Sequence, residues 1–381
     1  MLRFWFLGMI TLAVMGCGGD TAVTPPPSPL PATAVSPTAT ASSSLQEAPI
    51  LQWQYAVGDG AAAPAVAAGS VIVVASDTAV TGLNPASGEV VWQVSPDGGV
   101  WPRSLAGNGA TVVVGVPGGL LALTAADGRI LWQTETAGDV LWPPLVADTA
   151  VYAGTAFVGP GIAAQPDKRA WFYALDAASG DVLWSQETAA YTLTTPAANE
   201  EAVVVGGSFL SDEEIEEGGH LRFYAFARQD GALQWTAERT EGFLKSLAVD
   251  GERLYFLAYA DMLFALDMAG GQEVWRYSTE NWSPGFTFVD GALYIGSDNA
   301  FVHAIDGRNG TAVWRVHQEG IFNAPRSEPA LADGRLYFQS NDNKLYSLNA
   351  ADGAILWQTD PQPRSRVAPV AAYGRLYLLG Q

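Results

Sequence analysis

The segment ALDAASGDVLW, residues 174–184, contains the pattern that decides the fold. Its first apolar residues are typical of the end of a strand, and the side chain of Asp176 can accept hydrogen bonds from a turn backbone. Gly180 tolerates the positive φ that a tight turn needs. A second strand then ends at Trp184, so the segment predicts two strands joined by a tight turn.

This phrase occurs seven times, at intervals of about 40 residues and twice of about 51. The copies are GLNPASGEVVW (82–92), ALTAADGRILW (122–132), ALDAASGDVLW (174–184), AFARQDGALQW (225–235), ALDMAGGQEVW (265–275), AIDGRNGTAVW (304–314) and SLNAADGAILW (347–357). Two more strand signals precede each copy, as APAVAAG and SVIVVAS do before the first. Repeating units of four short antiparallel strands, with no helical pattern between them, indicate an all-β protein with a β-propeller fold.

Each unit contributes one Trp, which can fill the wedge between neighbouring sheets. The predicted structural column consists of Trp53, Trp92, Trp132, Trp184, Trp235, Trp275, Trp314 and Trp357. Burial of these rings between sheets would supply much of the core.

The number of blades depends on the two ends of the propeller. Seven units are complete, the segment RVAPVAAYGRLYLLG (366–380) supplies two inner strands, and Trp53 lies in an outermost strand. Pairing the two ends in one sheet would close the ring and remove its free edges. We therefore expect an eight-bladed propeller of four-stranded antiparallel blades. Seven blades are the alternative, because a third strand for the closing blade is not evident.

The pattern A-[LI]-D-x-x-x-G-x-x-x-W resembles the PQQ-like propeller repeat, and the resemblance covers residues 53–381. One branch of that superfamily consists of pyrroloquinoline-quinone (PQQ) alcohol dehydrogenases, whose cofactor lies between a Trp and a disulfide of adjacent cysteines, beside Ca²⁺ and a basic Asp. Cys17 is the only cysteine in this chain, so that disulfide cannot form and we expect no PQQ. The chain is also similar in size, anchor and single-domain layout to non-catalytic, BamB-type outer-membrane assembly lipoproteins.

The N-terminal residues are typical of an exported lipoprotein. Residues 1–16 combine Arg3 with a short apolar run, which indicates a signal peptide. The residues before Cys17 resemble a lipobox, which implies lipidation of Cys17; an ordinary secretory peptide is the alternative. Residues 17–48 are rich in Pro, Thr, Ser and Ala and are predicted to form a disordered tether, followed by the propeller at 49–381.

The charge balance bears on the partners of this chain. Asp and Glu outnumber Lys and Arg by 39 to 19, which gives a formal net charge of -20. Because so acidic a chain repels phosphate backbones, we expect no nucleic-acid partner.

Aromatic residues outside the Trp column fall in one class of connection. With strands A to D numbered from the axis to the rim, the D–A and B–C connections share one face of a propeller. These connections contain Trp101, Trp142, Trp171, Trp282 and Phe322, together with Tyr191 and Phe243. Aromatic residues gathered at one rim fit a binding surface. The alternative is that they cap the ends of the blades as additional core.

The residue before each innermost strand should stand at the mouth of the central channel, on that same face. Arg103, Lys245 and Glu328 occupy this position in three copies, and Arg326 and Arg366 lie two residues before it. Basic groups there can hold a carboxylate or an acidic partner segment. The alternative is a solvated rim with local ion pairs.

Two adjacent units carry insertions in their B–C connections, at residues 155–171 and 208–220. Insertions on one face of a repeat array often mark the binding side. The second insertion contains the acidic run 212–217, which either binds a cation weakly or forms a solvated loop.

No catalytic motif accompanies these features. The three His residues lack ligand spacing, and the chain has no nucleophile elbow or P-loop, so we predict no catalytic residue and no metal site. The sequence favours a membrane-anchored, extracytoplasmic, monomeric propeller, periplasmic or on the cell surface, that binds a protein or peptide partner. A PQQ-dependent or sugar-active enzyme, a ligand-sensing surface protein and a purely structural envelope protein remain alternatives.

Overall fold

The computed structural model describes residues 11–16, 49–57, 64–147, 149–157, 169–209, 220–240, 244–258, 261–317, 325–359, 365 and 367–380. All regular secondary structure in these residues is β-strand. They include no helix with the length and apolar character needed to cross a bilayer. The repeat therefore correctly predicts an all-β chain.

The strands follow the repeat. The first two are β1 (Thr11–Gly16) and β2 (Ile50–Ala56). The first blade consists of β3 (Val66–Ala68), β4 (Val71–Ala75), β5 (Val80–Leu83) and β6 (Val90–Val94). The second consists of β7 (Trp101–Gly107), β8 (Thr111–Val116), β9 (Gly119–Thr124) and β10 (Ile130–Glu135). The third consists of β11 (Leu145–Ala147), β12 (Ala150–Gly154), β13 (Trp171–Asp176) and β14 (Val182–Glu187).

The innermost strand of the fourth blade is split into two short pieces. This blade consists of β15 (Thr192–Leu193), β16 (Ala197–Ala198), β17 (Ala202–Phe209), β18 (His220–Ala227) and β19 (Leu233–Arg239). The fifth consists of β20 (Leu244–Val249), β21 (Arg253–Ala258), β22 (Met262–Asp267) and β23 (Glu273–Ser278). The sixth consists of β24 (Phe286–Val289), β25 (Ala292–Gly296), β26 (Phe301–Asp306) and β27 (Ala312–His317). The seventh consists of β28 (Ala330–Ala332), β29 (Arg335–Gln339), β30 (Leu345–Asn349) and β31 (Ile355–Gln358), and the chain continues with β32 (Val370–Ala372) and β33 (Arg375–Gly380).

Seven blades are built from consecutive strands, which is the alternative count that the sequence left open. The expected count of eight blades is therefore wrong, because the strands available for an eighth come from the two ends of the chain and not from a further repeat unit. They form a separate four-stranded sheet in the order β2-β1-β33-β32. β28 contacts β32, and β32 contacts β3, so this end sheet lies between the seventh blade and the first.

The third strand that the sequence did not reveal is β1. It pairs antiparallel with β2 on one side and with β33 on the other. These residues fall within the predicted signal peptide. An apolar segment can satisfy its backbone hydrogen bonds by pairing in a sheet, whether it is a signal peptide or a strand of the folded domain.

The Trp column joins each sheet to the next. We call the contact of one of these indoles with the next sheet a joint. In seven joints the indole N–H donates to a carbonyl in the turn of the following sheet, over distances of 2.7–3.2 Å. The turn Gly beneath each of these indoles has a φ of 69–76°, and a Cβ added there would lie 2.5–2.7 Å from the ring. Glycine is therefore needed for both the turn and the contact.

The core lies between the sheets. Val73 of β4 and Val114 of β8 share one buried cluster, so the first and second blades pack face to face. Ile72 of the first blade packs with Tyr377 of the end sheet, and Trp357 of the seventh blade packs with Leu376. Apolar surface is therefore buried on both sides of the end sheet.

Candidate functional site

The innermost strands of five consecutive blades converge on one cavity of about 300 Å³. Each of these blades contributes at least one residue at or near the start of its innermost strand: Pro143, Thr195, Lys245, Phe286 and Glu328. Neighbouring innermost strands also contact one another, as β3 and β7 or β24 and β28 do. The cavity therefore lies at the mouth of the central channel, where the sequence placed Lys245 and Glu328.

Several predicted binding residues meet at this mouth. Trp142 lines the same cavity as Lys245 and Glu328. Trp282 lines an adjacent cavity of about 440 Å³ and receives the Lys245 ammonium over its ring, 4.9 Å from the ring centre. We call the surface defined by Trp142, Lys245, Trp282 and Glu328 the mouth face.

Other predicted residues serve different roles or lie elsewhere. Trp171 is partly buried against the cluster between the second and third blades and contacts Tyr173, so it extends the core. Trp101 is also partly buried, whereas Arg103 is exposed. The aromatic residues thus divide into Trp171, which packs as additional core, and Trp142 and Trp282, which are exposed. The predictions that fall outside the described residues concern Cys17 and the tether 17–48, as well as Phe243, Phe322, Arg366 and the acidic run 212–217.

Lys245 is engaged with carboxylates of its own face. Its Nζ lies 3.5 Å from Oδ1 of Asp261, and only 10% of its side chain is exposed. Burial lowers the pKa of Lys245, although Asp261 and Asp298 act in the opposite direction. Burial, followed by repulsion from Asp261, raises the pKa of Asp298. For Lys245 the structure thus agrees with the interpretation of local ion pairs.

Glu328 is the group at the mouth with the most perturbed acidity. It touches the cavity with a small part of its surface and is otherwise surrounded by protein. Burial raises the pKa of Glu328 to about 7, although a hydrogen bond from the Ser246 hydroxyl opposes the shift. That hydrogen bond links the fifth blade to the seventh across the sixth.

Gly285 of the sixth blade makes room for this link. A Cβ at Gly285 would lie 2.1 Å from Oε1 of Glu328 and 2.4 Å from Oγ of Ser246. The absence of a side chain there therefore permits the carboxylate to reach the hydroxyl.

Sequence reasoning missed Ser246, Asp261 and Asp298. Asp261 and Asp298 lie in the B–C connections of the fifth and sixth blades. One signal could have revealed Asp298. A buried Ser followed by Asp or Asn comes directly after the second strand of three blades, at Ser76, Ser297 and Ser340.

The described part of the chain offers no built metal or redox centre. No three His, Cys, Asp or Glu side chains come together in it. His303 is fully buried and shares a hydrogen bond of 2.8 Å with Tyr277 through Nδ1. Burial lowers the pKa of His303 to about 4, so its ring is neutral at physiological pH and acts as a core residue.

Comparison with known proteins gives a consistent family. A family model described as "Outer membrane protein assembly factor BamB" matches residues 50–100, 80–158, 152–281 and 260–381. The Escherichia coli protein of that name is 28% identical over 178 residues, which cover 44% of this chain and 43% of that protein. The Shewanella oneidensis protein of that name is 23% identical over 361 residues and 87% of each chain. The match thus spans less than half the length of the Escherichia coli relative.

Solved structures share the fold at low sequence identity. BamB from Moraxella catarrhalis superposes with a TM-score of 0.55 at 19% identity, covering 84% of this chain and 94% of that one. Quinohemoprotein alcohol dehydrogenase from Comamonas testosteroni superposes with a TM-score of 0.62 at 15% identity, covering 84% and 71%. At these identities the likeness shows the propeller fold alone.

Proposed function

This chain belongs to the family of outer membrane protein assembly factor BamB, and on that premise we propose that it is a non-catalytic, extracytoplasmic scaffold that holds a protein or peptide partner on its mouth face. The observation that carries the proposal is the position of two exposed indoles beside the channel mouth. Trp142 and Trp282 are 39% and 38% exposed, unlike the Trp residues of the column. The name of the relatives of this chain, outer membrane protein assembly factor BamB, supports a role in envelope assembly.

Exposed indoles next to a polar cavity suit partner recognition. Tyr, Trp and Arg are enriched among the residues that contribute most to protein interfaces, and Trp loses little conformational entropy when it is covered. The cavity beside Trp142 adds a recess with charged and hydroxyl groups, which can position one residue of a partner. The mouth face thus combines apolar contact with directional polar contact.

The residues present do not fit PQQ. The adjacent-cysteine disulfide of the quinoprotein dehydrogenases needs two cysteines, and Cys17 is the only one in the chain. The channel mouth carries Lys245 and Glu328 instead, which contact Asp261 and Ser246 respectively. We therefore propose that the chain acts without this cofactor and that its fold likeness to the dehydrogenases is architectural.

The N-terminal residues would anchor this scaffold. Residues 1–16 serve as a signal peptide, Cys17 carries the lipid, and residues 17–48 form the tether that places a monomeric propeller in the periplasm or at the cell surface. Cleavage before Cys17 would remove β1 from the end sheet and leave the place between β2 and β33 open to another strand. Mass spectrometry of the protein extracted from its native membrane would detect the processed, lipidated N-terminus.

We also propose that the end sheet closes the ring between the seventh blade and the first. Its support is the packing on both sides, through Ile72 with Tyr377 and Trp357 with Leu376. The indole of Trp53 also lies over Gly88 of the first blade, as in the other joints.

The scaffold function can be tested by chemical crosslinking in the native envelope, followed by pull-down of the protein with its crosslinked partners. The wild type is compared with the double variant Trp142→Ala/Trp282→Ala, and we expect the variant to lose its crosslinked partners while circular dichroism stays unchanged. The matched control is Leu233→Ala/Val313→Ala, which removes apolar side chains that are 56% and 60% exposed on outer strands. Retention of the same partners by the Trp variant would show that the mouth face is not the binding surface.

A further inference from the structure

Glu328 is the one charged group lining the channel-mouth cavity that has no countercharge among the described residues. Its carboxylate accepts a hydrogen bond from Ser246 and takes part in no described ion pair. An isolated carboxylate in a recess surrounded by protein is costly to ionise, and a cation supplied from outside would offset that cost.

The charged side chains near Glu328 interact with other groups. Lys245 lies beside Asp261 and is attracted by Asp298, and its ammonium also lies over the Trp282 ring. Arg326 lines the adjacent cavity with Asp298 and donates from Nε to Oδ1 of Asn341 at 2.7 Å. Lys245 thus interacts with two aspartates of its own face, whereas Glu328 takes part in no described ion pair.

The cavity is small for a cofactor and suits a single side chain. At about 300 Å³ it lies at the lower end of the range for small-ligand sites. Thr195 and Ser246 add hydroxyl groups to its wall, and Trp142 and Phe286 add aromatic surface. A hydroxyl, a carboxylate and an aromatic face together match an extended cationic side chain, whose stem is apolar and whose head is charged.

We propose that the channel-mouth cavity binds the side chain of an Arg or Lys residue from the partner, with its charged head against Glu328 and its stem against Trp142. This inference rests on the scaffold function and names the chemistry of the partner: a basic residue on an exposed segment. The first expectation from the sequence, an acidic partner segment held by basic groups, is replaced because Lys245 already faces Asp261. A divalent metal is a poorer occupant, since no three potential ligands meet in the described residues.

Binding of this kind depends on the ionisation of Glu328. Among the residues that line the cavity, Lys245 is the only other charged group, and Arg326 lies two residues before Glu328 on its own segment. Because an acid with a pKa of about 7 is mostly neutral at pH 5.5 and mostly ionised at pH 8, the cation should bind more tightly at the higher pH. We expect an increase in affinity on the order of tenfold across this range.

The test is NMR titration of the purified protein with ¹⁵N-labelled Trp, following the indole N–H signal of Trp142. The probe is the peptide acetyl-Ala-Arg-Ala-amide, with the Met and Glu versions of the peptide as matched ligands. We expect the Arg peptide to shift the Trp142 signal and to bind at least tenfold more tightly than the other two at pH 8. Glu328→Gln should remove this preference, whereas Glu187→Gln, at an exposed carboxylate on β14, should preserve it.

Three results would overturn the proposal. The first is that the Glu peptide binds the wild type as tightly as the Arg peptide or more tightly. The second is that Glu328→Gln binds the Arg peptide with the same affinity as the wild type. The third is that millimolar CaCl₂ shifts the Trp142 signal and abolishes binding of the Arg peptide. If the peptide titration fails but the Trp142→Ala/Trp282→Ala variant loses its partners in the pull-down, the scaffold function stands and only the binding of a basic residue is rejected. Arg-peptide binding with unchanged partners in that pull-down would keep the cavity assignment and reject the mouth face as the partner surface.

Discussion

At the scale of single residues, the contact between an indole and a turn glycine is the feature that the sequence repeats most faithfully. The Trp92 N–H donates to the carbonyl of Ala125 at 2.8 Å, and the ring covers Gly128. The position needs a positive φ and no side chain at once. One glycine therefore satisfies a backbone requirement within its own blade and a packing requirement of the blade before it.

Replacing Gly128 separates these two requirements. In Gly128→Ala the φ of +69° is strained and the new Cβ lies 2.6 Å from the Trp92 ring, so we expect a loss of about 2–4 kcal/mol in the free energy of unfolding. Gly118→Ala is the matched control in the same blade, since its φ is +74° and no atom lies within 4 Å. It should cost only about 1 kcal/mol in urea denaturation. Equal losses in the two variants would show that the indole moves aside freely.

Glu328 makes stability depend on pH in a specific direction. Its pKa is about 7 in the folded protein against an ordinary value of 4.5, so folding holds the carboxyl protonated. Its favourable contribution is complete below pH 4.5 and is lost as the pH rises to 7. Glu328→Gln should therefore raise the free energy of unfolding by about 2–3 kcal/mol at pH 8 and leave it nearly unchanged at pH 4.

The control for this pH dependence is Glu187→Gln, at an exposed carboxylate. Its urea midpoint should stay within experimental error of the wild type at both pH values. A pH-independent difference between Glu328→Gln and the wild type would show that the carboxyl ionises normally in the folded state.

At the scale of the element, each blade depends on an irregularity next to its Trp. Trp184 pairs with Ala174, but the next pair is Val182 with Leu175, so Leu183 is an extra residue in the outer strand. The other six blades show the same shift beside Trp92, Trp132, Trp235, Trp275, Trp314 and Trp357. A bulge bends the strand and increases its twist, which lets the ring reach the neighbouring blade.

Replacing the ring of one joint measures how much the joint stabilises. Trp235 is 8% exposed, and its N–H donates to the carbonyl of Met268 at 2.7 Å. Trp235→Phe leaves that buried carbonyl without this donor, so we expect a loss of about 2–3 kcal/mol in the free energy of unfolding. Trp53→Phe is the comparison, because its bond of 3.2 Å is only partly buried, and it should cost about 1 kcal/mol. A smaller loss for Trp235→Phe than for Trp53→Phe would contradict this account.

At the scale of the whole molecule, one sheet combines strands that are far apart in sequence. The end sheet joins strands from both ends of the chain, and its Tyr377 packs with Ile72 and Val74 of the first blade. The Tyr377 hydroxyl also donates to the carbonyl of Pro85 at 3.2 Å. If this sheet closes the ring, damage to it should be transmitted to the first blade.

Tyr377→Ala tests the closure by hydrogen exchange. The side chain is 1% exposed, so its removal should cost about 3–5 kcal/mol and lower the protection of amides in β4 and β5. Tyr255→Ala, at a fully buried Tyr of the fifth blade, should instead lower protection around β21 and leave the first blade unchanged. Unaltered protection of β4 and β5 in Tyr377→Ala would show that the end sheet does not support the first blade.

Much of the mouth face was predictable because a repeat fixes where equivalent residues lie. The repeat placed Lys245 and Glu328 at equivalent positions near the start of an innermost strand, which was enough to bring both to one channel mouth, and the connection class placed Trp142 and Trp282 nearby. Lys245 itself is the second residue of β20, whereas Glu328 precedes β28. The pairing of Lys245 with Asp261 was not predictable, because Asp261 comes from a different kind of connection and its approach depends on the packing of the chain.

The sequence by itself determined the blade, its turn glycine and its Trp, because these follow from local periodicity repeated seven times. Only the tertiary structure decided how the two ends meet and which charges at the mouth are neutralised. Both depend on distances between residues that are remote in sequence, such as Ser246 and Glu328, and local patterns carry no information about such distances.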